Sequence, residues 1–325
     1  MSPGTGNQPL KSFNDLNLSS RNGFAIKLKK IARSLDVVLV DKCMILVEHY
    51  WELEEFGLVK VIASDMDGTF LNDEGTFDEK LFQEQLKKMA ANGMHFISAS
   101  GNQYQHLLAL FDNVTGPVSY VCNNGALVVD ENGVIISETI IDHPVLQSAL
   151  DYLVKDPSFF GAKIILVGRD GTYCNLSKNN KRFKKSEHFY PDLQSISDLT
   201  MVFDPIYKIE ATWEEGSPLE RQTKFNHKFS RRLTAAASGN GGLDIVVSGI
   251  TKSTGVDELL QSWQLTFDDV VAFGDNNNDF ELLNEAKLGY AMKNSAPDLL
   301  AKVAAVTAHD NNEQGVQKQI DQLLG

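Results

Sequence analysis

The sequence predicts an α/β protein built on a parallel sheet, with carboxylates at the carboxyl ends of its strands. Three observations carry this expectation. Two short apolar runs, residues 59–63 and 270–273, each break off at an acidic cluster, Asp65 and Asp67 after the first and Asp275 and Asp279 after the second. A third apolar run, residues 94–99, ends in Ser100, Gly101 and Asn102. The first two runs, uncharged apart from Lys60, suit strands buried on both faces of a parallel sheet. Loops leaving the carboxyl ends of such strands form the crevice where open α/β sheets do their chemistry. The length of 325 residues implies about two domains.

Residues 1–57 stand apart from this pattern. The first 21 are rich in Ser, Asn and Gly and read as disordered. Five basic residues from Arg21 to Arg33 have the composition of an organellar transit peptide, but Asp15 and Asp36 bracket them. The apolar patch at 37–47 is interrupted by Asp41 and Lys42 and is too short and too charged to span a bilayer. The segment reads either as an N-terminal extension or as sequence upstream of a natural start near residue 58.

The run at 59–63 opens the folded part. Asp65 falls at its carboxyl end and Asp67 two residues on, so a chain still extended aims both carboxylates to one side. Two carboxylates so close require a cation between them or a proton on one. A simple Asp-Gly turn with Thr69 tidying the backbone is the competing reading. After a turn at 72–75, Thr76 and Glu79 have the spacing of a capping box, and Phe82, Leu86 and Met89 have helical spacing. The helix leads to the strand at 94–99. Ser100 beyond it reads either as part of a phosphate cradle with Gly101 or as the N-cap of a helix over 103–111. Residues 119–139 read as a strand, an Asn124-Gly125 turn and a hairpin closed at Asn132-Gly133.

From 140 to 242 the alternation becomes irregular, with strands near 163–167 and 208–213 among polar helices. Residues 178–185, KNNKRFKK, carry five positive charges. They read either as a steering patch for an anionic substrate or as a solvated helix face. Lys208 either points inward or guards an edge strand. Leu243 begins the expected return to the core. Lys252 then stands at the start of a helix carrying Val256, Leu259, Leu260 and Trp263, a position the helix dipole disfavours unless an anion is near. The last motif is GDNNND at 274–279, with hard oxygen donors suited to magnesium.

DMDGT at 65–69, Ser100, Lys252 and GDNNND occur in the order of the four motifs of the haloacid dehalogenase (HAD) superfamily of aspartate-based phosphohydrolases, which the chain resembles over about 58–324. NNGA at 123–126 resembles the Cof-type group, and SGNQYQHLL together with 252–312 resembles its bacterial sugar-phosphatase branch. The resemblance implies a HAD-like, Rossmann-type core at 58–139 and 243–325 and an inserted C2B-type cap at 140–242. It implies a Mg2+-dependent phosphomonoester hydrolase working through a phospho-aspartate, with Asp65 as nucleophile, Asp67 as acid and base, and Lys252 as the third catalytic group. Ser100, Gly101, Lys252 and Asn278 bind substrate, Asp65, Asp67 and Asp275 hold the metal, and Asp279 supports them.

The implied substrate is a small phosphorylated metabolite, a sugar phosphate or flavin mononucleotide. A phosphotransferase or mutase would keep the same motifs. A calcium module is excluded on spacing, because a twelve-residue loop from Asp275 puts Phe280 at its sixth position and Ala286 at its twelfth. The formal charge of -13 argues against nucleic acid, and no membrane span is expected. His143, His188 and His227 are scattered and form no metal motif. Three cysteines without metal spacing, Cys43, Cys122 and Cys174, fit free thiols in a reducing, cytoplasmic setting. The expected state is a monomer or weak homodimer.

Overall fold

The computed structural model describes residues 59–238 and 241–325. The expectations for residues 1–57, and for Cys43, lie outside the described residues. The chain runs β1 (Val61–Ser64), α1 (Glu79–Ala91), β2 (His95–Ala99), α2 (Tyr104–Leu110), β3 (Val118–Cys122), β4 (Leu127–Val129) and β5 (Ile135–Glu138). It continues through α3 (His143–Lys155), β6 (Lys163–Gly168), β7 (Thr172–Cys174), α4 (Lys181–Ser186), β8 (Leu193–Ser195), β9 (Ile206–Thr212), α5 (Pro218–Phe229), β10 (Leu233–Ser238) and β11 (Gly242–Val247). It ends with α6 (Lys252–Trp263), β12 (Val270–Gly274), α7 (Phe280–Glu285), β13 (Leu288–Ala291), α8 (Pro297–Leu300), β14 (Ala305–Val306) and α9 (Gly315–Leu324).

Eight strands form the core sheet in the order β14-β13-β12-β1-β2-β3-β4-β5. The pairs from β14 to β3 are parallel, and β4 and β5 add an antiparallel hairpin at one edge. The chain moves from β1 to β2 on one side and later lays β12 on the other, so β1 is the switch point where a crevice opens at the carboxyl ends. Val61 lies opposite Val270 and Ser64 opposite Phe273, and β1 and β12 therefore end almost level. Alternation along β1 buries Ile62 on one face of the sheet with Phe82, Leu86 and Met89 of α1, and Val61 and Ala63 on the other with Val256, Leu259 and Leu260 of α6. The core is thus a sheet between two helical layers.

The turn after β1 is pinned by aromatic packing. Phe70 meets Phe82 at 4.8 Å and Phe96 at 5.4 Å between ring centroids, fixing the loop that carries Asp65 and Asp67 onto the core. Asn72 organises the following turn by accepting from the backbone N–H of Glu74 and of Thr76. Thr76 is consequently occupied in the turn, and the expected Thr76–Glu79 capping box does not form. Asp78 caps α1 instead, accepting from the N–H of Leu81 at 3.0 Å.

Six strands form the second sheet, in the order β10-β11-β9-β6-β7-β8, antiparallel except for β7 and β8. Helices α3 and α5 cover one face, where Ile209, Ala211, Leu243 and Ile245 are buried with Leu150, Phe225 and Phe229. The expected re-entry into the core at Leu243 is corrected: β11 pairs with β9 and β10, so this domain continues through Val247. The pattern Leu243, Asp244, Ile245 is that of a strand with one covered face, the arrangement of an antiparallel sheet. Among the described residues no helix is long and apolar enough to cross a membrane. Cys122 and Cys174 are free and buried.

Candidate active site

Asp65 extends β1 by one step. Its N–H donates to the carbonyl of Phe273 at 3.0 Å, holding it beside the end of β12, and its side chain is nearly buried. Lys252, the first residue of α6, reaches the same point from below. Its Nζ donates to Asp65 Oδ1 at 2.5 Å and to Asp279 Oδ1 at 2.6 Å, with the lysine only 1% exposed. Burial acts to discharge this ammonium, but Asp279 and Asp65 more than offset it and hold its pKa above the usual lysine value. The anion expected from the unfavourable helix-start position is therefore a pair of carboxylates.

Asp279 is fully consumed by the protein. Its Oδ1 takes Lys252, and its Oδ2 accepts the backbone N–H groups of Asp275 at 3.1 Å and Asn276 at 3.0 Å. Its own burial, partly offset by Lys252, raises its pKa to about 6. Asp275 has different surroundings. Burial first, then the charges of Asp65 and Asp279, push its pKa up to about 8. Asp65, Asp275 and Asp279 each offer an oxygen within 4.8 Å of the others, a set that could hold a metal ion. These hard donors suit Mg2+, and a cation among them would relieve the crowding of negative charge that helps to raise the pKa of Asp275.

The set differs from the expected Asp65, Asp67 and Asp275. The backbone does not stay extended past Asp65: Thr69 N–H bonds back to the Met66 carbonyl and Gly68 takes a φ of +77°. Asp67 is turned outward, exposed, and its Oδ2 accepts from Asn102 Nδ2 at 2.7 Å. Gly68 is required for space as well as for φ, because a Cβ there would meet Asp275 Oδ2 at 2.8 Å.

Ser100 is buried beside the cleft and accepts the N–H of Asn102 at 3.1 Å through its Oγ. It does not cap the next helix, whose N-cap is Gln103. Gly101 and Asn278 also line the cleft, and Asn278 Nδ2 donates to Asn124 Oδ1 at 3.2 Å. All the expected substrate residues except Lys252, which lies beneath Asp65, thus reach one cavity of about 390 Å³.

The inserted domain supplies the opposite wall. Period-two alternation in β9 points Lys208 and Glu210 away from Ile209 and Ala211, and Asp244 lies directly across from Glu210 on β11. Lys208 is in the sheet interior and nearly buried, so the edge-guard reading does not hold. Its Nζ donates to the Gly101 carbonyl at 2.8 Å and to Asp244 Oδ2 at 3.2 Å. Asp244 Oδ2 also accepts from Asn124 Nδ2 at 3.1 Å. Within the basic run at 178–185, Arg182 turns into the cleft and pairs with Glu210. Sequence reasoning did not assign Glu210, Tyr190, Ser186 or Asp244 to the site, and it placed Asn102 only at a strand end and Asn124 only in a turn. The one available signal was IYKIEAT in β9, where charge alternates with apolar residues inside an interior strand.

Residues 62–320 match the model of the haloacid dehalogenase-like hydrolases. The 5-amino-6-(5-phospho-D-ribitylamino)uracil phosphatase YbjI of Escherichia coli is 30% identical over 266 residues, covering 82% of this chain and 96% of that protein. The Bacillus subtilis phosphatase of the same description, YwtE, is 26% identical and covers 82% of this chain and 98% of its own length. A solved structure from Streptococcus mutans superimposes with a TM-score of 0.76 at 31% identity, over 82% of this chain and 99% of that one. With its motif residues gathered at the carboxyl edge of a parallel sheet and the family pattern matched across the described domains, the chain belongs to the haloacid dehalogenase-like hydrolases.

Proposed function

We propose that the protein is a phosphomonoester hydrolase that removes phosphate from a small phosphorylated metabolite, a sugar phosphate or a similar alcohol phosphate, through a phospho-aspartate on Asp65. The observation that carries this reading is the pairing of a nearly buried Asp65 with Lys252 at the floor of the cleft, beside the carboxylates of Asp275 and Asp279. The names of the two bacterial relatives support phosphate esters as substrates.

Lys252 occupies one oxygen of Asp65 and so orients the other toward the cleft. That oxygen attacks phosphorus, the bond to the ester oxygen breaks, and Asp67 donates a proton to the leaving alkoxide. Water then attacks the phosphorus of the acyl phosphate, Asp67 takes its proton, and phosphate departs with Asp65 restored. Asp67 suits both roles because it is exposed and held by the neutral amide of Asn102. Ser100 and Lys252 stabilise phosphoryl oxygens as charge spreads in the transition state, and the glycine at 101 lets the backbone come close. Asp65 and Asp275, with one main-chain carbonyl, would hold Mg2+. Asp279 would support them from behind, since its oxygens are already committed to Lys252 and two amides. The bound ion supplies positive charge that lets an anionic nucleophile approach an anionic phosphoryl group.

The test is phosphate release from a panel of sugar phosphates, nucleotides and p-nitrophenyl phosphate, with Mg2+ or with a chelator. Metal-dependent release that falls on the order of 10⁴-fold or more in Asp65→Asn is expected, the scale on which a covalent nucleophile acts. Release that persists in Asp65→Asn at the wild-type rate overturns the assignment.

A further inference from the structure

The cap wall of the cleft carries four charged side chains, and they cancel in pairs. Lys208 is bonded to Asp244, and Arg182 to Glu210. The remaining oxygen of Glu210 accepts the hydroxyl of Tyr190 at 2.7 Å, so each oxygen of that carboxylate already has a partner. This wall therefore has no free cation to offer a second anionic group. A second phosphate would instead lie near Asp244 and Glu210, which face the cleft from directly opposite positions on neighbouring strands.

Three polar atoms in the same wall lack a hydrogen-bond partner, Ser238 Oγ on β10 and two on α4. Arg182 Nε and Ser186 Oγ are buried and unbonded, and they belong to residues four apart on α4, both lining the cleft. Ser186 is only 2% exposed. A buried donor without a partner is destabilising, and that penalty is removed when a ligand supplies the missing oxygen. Because its Nη2 is fixed on Glu210, Arg182 presents Nε in a set direction. The serine hydroxyl beside it both donates and accepts. That combination fits a hydroxyl or carbonyl oxygen of an uncharged group.

We propose that Arg182 and Ser186 form a recognition patch for the uncharged, oxygen-bearing end of the leaving group, and that the charge-compensated wall restricts the enzyme to monophosphates and rejects bisphosphates. This rests on the phosphomonoesterase reading and adds to it the half of the substrate that is not phosphate. Glu210 and Tyr190 act as positioning residues, keeping Arg182 neutralised and aimed.

Three esters test it with the full chain and Mg2+: fructose monophosphate, fructose bisphosphate and phenyl phosphate, the last having no oxygen at its far end. In the wild type, kcat/KM for the monophosphate exceeds that for the bisphosphate by about tenfold or more, because a second phosphate loses its water and gains no cation from a wall whose charges are already paired. Ser186→Ala lowers the ratio of kcat/KM for fructose monophosphate to that for phenyl phosphate by about tenfold, the value of one hydrogen bond to a buried partner. Glu210→Gln leaves Arg182 uncompensated and narrows the gap between bisphosphate and monophosphate by about tenfold. Equal use of the two fructose esters by wild type overturns the charge argument without requiring any variant to fold. An unchanged monophosphate to phenyl phosphate ratio in Ser186→Ala, with an unchanged melting temperature, overturns the patch. Failure of wild type to hydrolyse any of the three, phenyl phosphate included, overturns the phosphomonoesterase reading itself.

Discussion

The floor and the wall of the cleft solve the same electrostatic problem in opposite ways. On the floor, Asp65, Asp275 and Asp279 crowd around a single lysine, and burial together with the excess negative charge pushes the pKa of Asp275 up to about 8. On the cap wall, each acid has its own base, Lys208 for Asp244 and Arg182 for Glu210. On the proposed function, an uncompensated site suits uptake of a cation and a phosphoryl group, whereas a compensated one suits selection without pulling. In the proposed enzyme that difference separates the part that reacts from the part that chooses.

The comparison can be broken most severely at Lys252. Replacement by Met leaves the buried Asp279 without its counter-ion, and a loss of about 3–5 kcal/mol of stability together with all activity is expected. Thermal or urea denaturation checks this, and an unaltered midpoint would mean that the floor does not depend on its one cation. Asp67→Asn comes next. It should keep metal binding and lower kcat by about 10² to 10⁴-fold for alkyl phosphates, where the leaving alkoxide needs a proton, with a smaller loss for p-nitrophenyl phosphate. Equal losses for good and poor leaving groups would remove Asp67 from the role of acid.

A smaller effect is expected from the wall. Lys208→Met removes the bond to the Gly101 carbonyl and leaves Asp244 unpaired. A rise in KM of about tenfold with a lesser fall in kcat is expected, and a pure kcat effect would place Lys208 with the floor. The smallest effect is on pH dependence. The folded-state pKa values of Asp275 and Asp279 are raised, from 3.8 to about 8 and about 6. Folded protein then holds protons that unfolded chain has released, so the stability these groups contribute is present below about pH 4 and lost as pH rises toward 8. Metal binding removes the repulsion, and the rise in melting temperature on adding Mg2+ should be larger at pH 8 than at pH 5. An equal rise at both would sink this account.

The floor was readable in the chain because each element of it is a short run. An apolar strand ending in DMDGT, another ending in GDNNND and a lysine opening a helix are local patterns, and parallel register alone brings Asp65 and Asp275 together. What was misread there was the path of a few atoms: Gly68 turns the chain, and Asp67 points to Asn102 instead of the carboxylate cluster. The wall was not readable in the same way. Arg182 and Ser186 of α4, Tyr190 beyond it, Glu210 of β9 and Asp244 of β11 are scattered through the cap sequence, and only sheet pairing makes neighbours of Glu210 and Asp244. The boundary at 242 was missed for the same reason, since only the pairing of β11 with β9 and β10 shows that it belongs to the inserted sheet.

The bond from Lys208 to Gly101, with the chain of contacts through Asp244 and Asn124 to Asn278, has a consequence for engineering. Caps are natural units to exchange between relatives when a new specificity is wanted. Here the graft cannot stop at the residues that touch the leaving group, because position 244 of the incoming cap must still satisfy a lysine of its own domain and an asparagine of the recipient. A transplanted cap lacking an acid there would leave Asn124 unanchored and loosen the loop that carries Asp275, so a swap meant to change what is bound would also change how fast it reacts.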